Sequence, residues 1–328
     1  MSRLGRFLRG GGAAAVFVAW LAGGASAQEA EPFRTRNLTP FIAIFGLPAW
    51  QLATVGHRFG LTSELANDYR LSSVGGDSLI LDGETWRTSL QFAGRVNERW
   101  SYAVEVPYYE HSGGFLDNAI DAWHSTFHLP DGGRNARPND VLRFRLADAA
   151  GVFYDLDERR QGLGDIRLSA ARRIGDEGRY VLRATWKLPT GDIDELSGSG
   201  SSDVALTLLR PQRALFRARP AGYFWGVGGL GVGGARRIRY PQHDVVLFGV
   251  LGGSFKPWPR IGLKVQIDVH TAFYDTPLPE LGSTSTQVAF GGWRELGRRG
   301  VLEFAVDEDI AVSTAPDVVL HMGVHWVW

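Results

Sequence analysis

Apolar and polar side chains alternate with a period of two through most of this chain, the pattern of extended strands whose successive side chains point to opposite faces. Trp100, Tyr102, Val104, Val106 and Tyr108 share one face, and Ser101, Ala103 and Glu105 the other. Tyr180, Leu182, Ala184, Trp186 and Leu188 alternate with Val181, Arg183, Thr185 and Lys187. Ile261, Leu263, Val265, Ile267 and Val269 alternate with Lys264, Gln266, Asp268 and His270, and near the end Leu320, Met322, Val324, Trp326 and Trp328 oppose His321, Gly323 and His325. Cutting the chain at turn signals predicts strands near 51–67, 78–96, 100–111, 161–174, 179–190, 202–210, 214–233, 244–256, 260–274, 284–295, 300–312 and 317–328. Short turns are expected at 97–99, 175–178, 211–213, 256–260 and 296–300, and longer connections at 68–77, 112–160, 190–201, 234–243, 275–283 and 313–317. The strand number is even, so both ends of a closed antiparallel sheet lie on one side.

The faces have the wrong polarity for a soluble sandwich, whose inner face is apolar. Here the inner face carries charges of both signs and the other ends in Trp and Tyr. The pattern therefore predicts an all-β fold, a twelve-stranded antiparallel transmembrane β-barrel with a helical extracellular loop. The N-terminus adds an export signal: Arg3, Arg6 and Arg9, the apolar stretch 13–21, and Ala25-Ser26-Ala27 before Gln28. Residues 1–27 are read as a signal peptide, and 51–328 as a barrel in the outer membrane of a Gram-negative bacterium with both termini periplasmic. Cleavage would remove three arginines and no acid from a chain of zero net charge, leaving it mildly acidic. That disfavours nucleic-acid binding. With no cysteine, disulfides and lipid attachment are excluded. Gly 42 and Trp 11 are high and suit curved strands with aromatic girdles.

Two regions break the period. Residues 28–50 hold Pro40 and Pro48 around the apolar run Phe41–Leu47, which argues against a long strand and leaves a periplasmic lead-in or a short plug. In the connection 112–160, residues 115–128 switch to a helical stripe of Leu116, Ile120, Trp123 and Phe127, a candidate lid. Its other stripe holds Asp121, His124 and His128, spaced for a transition metal, although a solvated face or hydrogen bonds to barrel arginines is the preferred reading. Lumen-lining candidates are Arg87, Arg95, Glu105, Asp165, Arg167, Arg183, Lys187, Lys264, Asp268, His270, Glu303, Asp307, His321 and His325. Such residues can pair into a network that holds a narrow barrel, or line a selective path. A lipid hydrolase would need a Ser beside a His at the lipid rim; His124 and Ser125 are neighbours on a helix and point apart.

The terminal octapeptide, with His321, Gly323, Trp326 and Trp328 at their offsets, resembles the signal by which outer-membrane barrels are handed to their assembly machinery. Further stretches resemble an uncharacterised family of Gram-negative outer-membrane proteins, classed as a domain of unknown function. They are Asn37-Leu38 with Phe45-Gly46-Leu47-Pro48, Leu81-Asp82-Gly83-Glu84-Thr85, Gly113-Gly114-Phe115-Leu116-Asp117 with Ile120 and His124, and Leu188-Pro189-Thr190-Gly191-Asp192 leading to Gly198-Ser199-Gly200-Ser201. The Leu-Pro-Thr-Gly-Asp stretch is also similar to a wider set of outer-membrane proteins assigned as transporters. The resemblance implies location and fold, and supplies no substrate or catalytic residue. The expected role is passage of a small or hydrophobic solute through a partly lidded lumen. The alternatives are a lipid-modifying hydrolase and a structural or surface-binding barrel. Expected partners are outer-membrane lipids, the barrel assembly machinery and periplasmic chaperones; no cofactor is expected.

Overall fold

The computed structural model describes residues 31–54, 56–117, 138–214, 221–310 and 314–328. In chain order the strands are β1 (His57–Val74), β2 (Asp77–Arg95), β3 (Trp100–Ser112), β4 (Arg143–Asp148), β5 (Gly151–Leu156), β6 (Arg160–Leu163), β7 (Arg167–Ile174), β8 (Tyr180–Lys187), β9 (Asp203–Ala214), β10 (Ala221–Gly231), β11 (Val245–Trp258), β12 (Ile261–His270), β13 (Ser285–Leu296), β14 (Gly300–Asp309) and β15 (Val318–Val327). Each of β1–β3 and β7–β15 pairs antiparallel with its neighbours, and β15 pairs back onto β1, so twelve strands close into a ring with no free edge. At closure Phe59 faces Trp326 and Glu64 faces His321.

The membrane-facing character is plain in β12. Leu263 is 49% exposed while Lys264 between it and Val265 is 4% exposed. Apolar side chains outside and charges inside invert the arrangement of a water-soluble sheet. Among the described residues no helix is long and apolar enough to cross a membrane, a test that says nothing of strands. Helical structure there amounts to α1 (Pro40–Ala43), α2 (Pro279–Gly282) and one 3₁₀ turn (Asp176–Gly178). The expected helix 115–128 falls almost wholly in 118–137, outside the described residues.

Short connections gather at one end of the barrel, the turn end, where His57 N–H donates to the Trp328 carbonyl. The opposite, loop end carries most of the longer ones. Three expected boundaries are corrected. The connection 68–77 is a two-residue turn, because Gly75 and Gly76 both take positive φ (64° and 97°), the geometry of the tightest hairpins. The first strand starts at His57 rather than 51 and runs on to Val74. Residues 211–213 are strand, not turn, and the β9–β10 connection lies within 215–220, outside the described residues. The long connection after β3 also contains strands: β4 pairs with the outer part of β2, β5 with β4, and β6 with the outer part of β3. They raise the wall beyond the ring at the loop end.

Residues 31–54 run inside the ring. Glu31 meets Arg58 at the turn end, Phe41 meets Tyr274 at the loop end, and Ala53 meets Arg173 near the turn end again. The segment is therefore an internal hairpin with an ascending limb (31–39), an apex around α1, and a descending limb (44–54). Residues 32–48 are all buried. At the apex Phe41, Ile44 and Phe45 join a dome of loop-end residues including Phe144, Tyr154, Phe273 and Tyr274, with Phe45 stacked on Phe273 (ring centroids 4.8 Å apart). Tyr240, in the β10–β11 connection, locks the dome to β4 by donating to the Ala147 carbonyl (2.7 Å). Burial and then Asp77 push its hydroxyl well above the usual range for tyrosine, so it stays a donor.

Candidate functional site

The candidate site is the lumen, with the internal hairpin inside it. Strand parity sends one side-chain row of each strand inward. Register aligns four of these residues into a belt: His321 opposite Glu64, Glu64 opposite Arg87, and Arg87 opposite Tyr109. Arg87 pairs with Glu64 (2.7 Å) and with Glu105, and donates to the Tyr109 hydroxyl (3.1 Å). His321 Nδ1 lies 3.6 Å from Glu64. Arg36 of the ascending limb reaches the same Glu105 (3.0 Å), which Arg167 also approaches (3.7 Å). One carboxylate thus serves three guanidinium groups.

Nearer the turn end, Glu31 pairs with Arg58 (2.5 Å) and Arg34 (3.5 Å), and Lys264 pairs with Glu303 (2.8 Å) while covering the Phe33 ring (3.9 Å to its centroid). His325 faces the lumen beside this group and is buried. Nearer the loop end, Lys187 is held by Asp165 (2.5 Å), Asp203 (3.3 Å) and the Ser199 hydroxyl (2.6 Å). On β12, Asp268 accepts from Trp50 (3.0 Å), Thr35 (3.2 Å) and Gln266 (2.7 Å). Asn37 Nδ2 meets His270 Nε2 (3.0 Å) and the Thr314 carbonyl (2.7 Å). Asp307 receives Gln287 (3.4 Å).

The descending limb is held differently. Its backbone carbonyls accept from the β7–β8 wall: Phe45 O from Arg167 (3.2 Å), Leu52 O from Arg183 (3.0 Å) and Ala53 O from Arg173 (3.1 Å), while Ile44 O accepts from Lys187 (3.3 Å). Little space is left between hairpin and wall. A cavity of about 20 Å³, bounded by Arg36, Asn37, Trp50, Phe248, Asp268 and His270, has room for roughly one water. Glycines let aromatic rings lie flat against the wall: a Cβ on Gly226 would meet the Trp50 ring at 2.5 Å, and one on Gly252 the Phe224 ring at 2.1 Å.

Of the lumen candidates, only Arg95 lies out of the lumen proper: it has the inward parity but projects at the exposed turn-end rim, in a groove with His57 and Trp328. Asp121, His124 and His128 lie outside the described residues, and among the described residues no group of side chains is arranged to hold a metal. In the terminal motif His321 and Gly323 face inward, whereas Trp326 and Trp328 face outward at the turn end.

Arg34, Arg36, Arg58, Glu64 and Asp203 are buried participants that the strand reading did not single out. For the hairpin the signal lay in the motif stretches, which the fold turns into joints; Asp203 lies two residues beyond the last of them. Gly46 N–H donates to Asp203 (2.7 Å), and Asn37 ties the ascending limb to β12. Gly191 N–H donates to Asp165 (2.8 Å) beside Lys187. Glu84 accepts the N–H groups of Phe115 (2.9 Å) and Leu116 (2.6 Å), with Gly114 (φ +80°) pressed against its carboxylate, where any Cβ would collide.

The fold has solved relatives. The COG4313 outer membrane channel from Pseudomonas putida F1 is 14% identical, with a TM-score of 0.52 over 85% of this chain and 97% of that one. The CymD monoaromatic hydrocarbon channel is 10% identical (TM-score 0.42, 89% and 91% covered) and the NanC porin 7% identical (TM-score 0.45, 82% and 100% covered), both at a lower level of likeness. At such identities the first match speaks to fold alone: this chain has the barrel of a bacterial outer-membrane channel. No curated protein matches the sequence. Residues 12–328 match the family described as "Protein of unknown function (DUF3187)", and the chain belongs to that family.

Proposed function

We propose that this protein is an outer-membrane channel for a small polar solute, closed in this conformation by residues 31–54 and opened when that hairpin shifts within the barrel or leaves it. One observation carries the reading: the hairpin fills the ring yet meets most of its wall through hydrogen bonds and ion pairs, which water or a polar solute can replace group for group. A permanent core is normally built from apolar packing; here that packing forms the loop-end dome and continues along the descending limb at Leu47, Trp50 and Ala53, whereas the ascending limb is held mainly by polar contacts. The charged lining favours a polar solute over a hydrophobic one, since a hydrophobic solute would leave Arg36, Arg167, Arg183 and Asp268 desolvated and unpaired. The turn end faces the periplasm in this reading. Residues 1–27 serve as the export signal, and the strand bearing His321, Gly323, Trp326 and Trp328 is what the assembly machinery receives.

The test is a reversible lock. The chain has no cysteine, and Thr35 Oγ1 lies 3.2 Å from Gln266 Nε2, so a Thr35→Cys, Gln266→Cys pair joined by a short, reducible thiol cross-linker staples the ascending limb to β12. Single-channel recording in planar bilayers should give silence after cross-linking and discrete steps after reduction. Equal conductance in both states would remove the hairpin from the pathway. Silence in both states and in wild type would leave a filled structural barrel.

A further inference from the structure

One stripe of lumen arginines faces two acids across the ring, although Lys264 also stands on β12 and Glu105, Asp165 and Asp203 lie on the arginine side. Arg167, Arg173 and Arg183 project from β7 and β8, while Asp268 and Asp307 project from β12 and β14 across the ring. Register sets Arg183 opposite Ala171, so the three arginines climb one stripe of wall spanning seven residues of β7, roughly 20 Å along the strand. The stripe is short of counter-charge. Arg167 shares Glu105 with two other arginines; Arg183 and Arg173 are met by neutral carbonyls. Arg167 and Arg183 are 3% and 4% exposed, and the Nε and Nη1 atoms of both have no hydrogen-bond partner among the described residues. A buried guanidinium with free N–H groups is costly, and a charged oxygen binds it about twice as well as a neutral one. The facing acids receive neutral donors, Trp50, Thr35 and Gln266 on Asp268 and Gln287 on Asp307.

We infer that the Arg167–Arg183–Arg173 stripe is a binding path for small oxyanions, solutes bearing a carboxylate or phosphate, and that the carbonyls of residues 45–53 hold the places such oxygens take. This rests on the channel reading above and names its solute class. An entering oxyanion exchanges with the limb carbonyls one guanidinium at a time, so the solute that is carried also loosens the limb. The acids on the far wall hold cations away from the stripe.

Reversal potential in a tenfold KCl gradient across a planar bilayer tests it, with inorganic phosphate then added to one side as the probe. Wild type should prefer chloride severalfold, and millimolar phosphate should reduce the single-channel current. The Arg167→Gln, Arg183→Gln variant should lose most of both effects. Should that variant fail to insert, Asp268→Asn reads the same balance from the other wall and should raise chloride preference. Steps that prefer potassium, or a chloride preference unmoved by either variant and by phosphate, overturn the anion path while leaving a channel. Absence of any step in wild type overturns the channel reading instead.

Discussion

The two limbs of the internal hairpin lie in the same lumen and are held by different chemistry. The ascending limb is recognised by its side chains: Arg36 on Glu105, Asn37 on His270 and Thr314, Thr35 on Asp268. The descending limb is recognised mainly through its backbone, by Arg167, Arg183 and Arg173 donating to carbonyls that any residue would present. Specificity therefore resides in the limb's own sequence on one side and in the wall on the other. The first limb is fixed by residue identity along its length, whereas the second is fixed by identity chiefly at Trp50, and its carbonyls can exchange partners without loss of a side chain.

The largest test strikes the anchor of the ascending limb. Glu105→Gln deprives three guanidinium groups of a shared carboxylate, with Arg87 wholly buried, and should cost about 3–5 kcal/mol in denaturant unfolding of the refolded barrel. Asn37→Ala strands His270 and the Thr314 carbonyl and should cost about 2–3 kcal/mol, with more frequent openings in bilayer recordings. Trp50→Phe probes the one side-chain hydrogen bond of the descending limb to the acidic wall; a loss of about 1 kcal/mol is expected from the missing donor to Asp268. Gln51→Ala should stay within about 0.5 kcal/mol of wild type, because Arg183 addresses its carbonyl. A Gln51→Ala effect as large as that of Asn37→Ala would erase the distinction between the limbs.

The strands were legible because a membrane barrel imposes period two on both faces at once. Lys264 between Leu263 and Val265 can only point inward, and twelve such segments close a ring with both ends on one side. The hairpin was not legible in the same way. A segment enclosed on every side has no polar face, so 32–48 shows no period; Pro40 and Pro48 exclude a long strand without saying what surrounds them. The segment was read as a lead-in or short plug ending at residue 50, which displaced the first strand, since 51–54 were counted as wall. Some charged residues were legible singly and their partners were not: Arg87 and His321 both read as inward-facing, yet Glu64 between them was not singled out, because their meeting depends on the register of β1 with strands at both ends of the chain. Arg95 shows the converse limit, a residue of correct parity that lies one step beyond the enclosed part of its strand.

The ascending limb meets β12 at a constant interval. Glu31 with Lys264, Phe33 with Gln266, Thr35 with Asp268, Asn37 with His270 and Phe41 with Tyr274 are all 233 residues apart. The limb thus rises parallel to β12 and in step with it. The limb can be seated only once β12 is in place, and contacts so distant in sequence are slow to form. Because the contacts share one interval, a slip of the limb by a single residue would misplace all of them together.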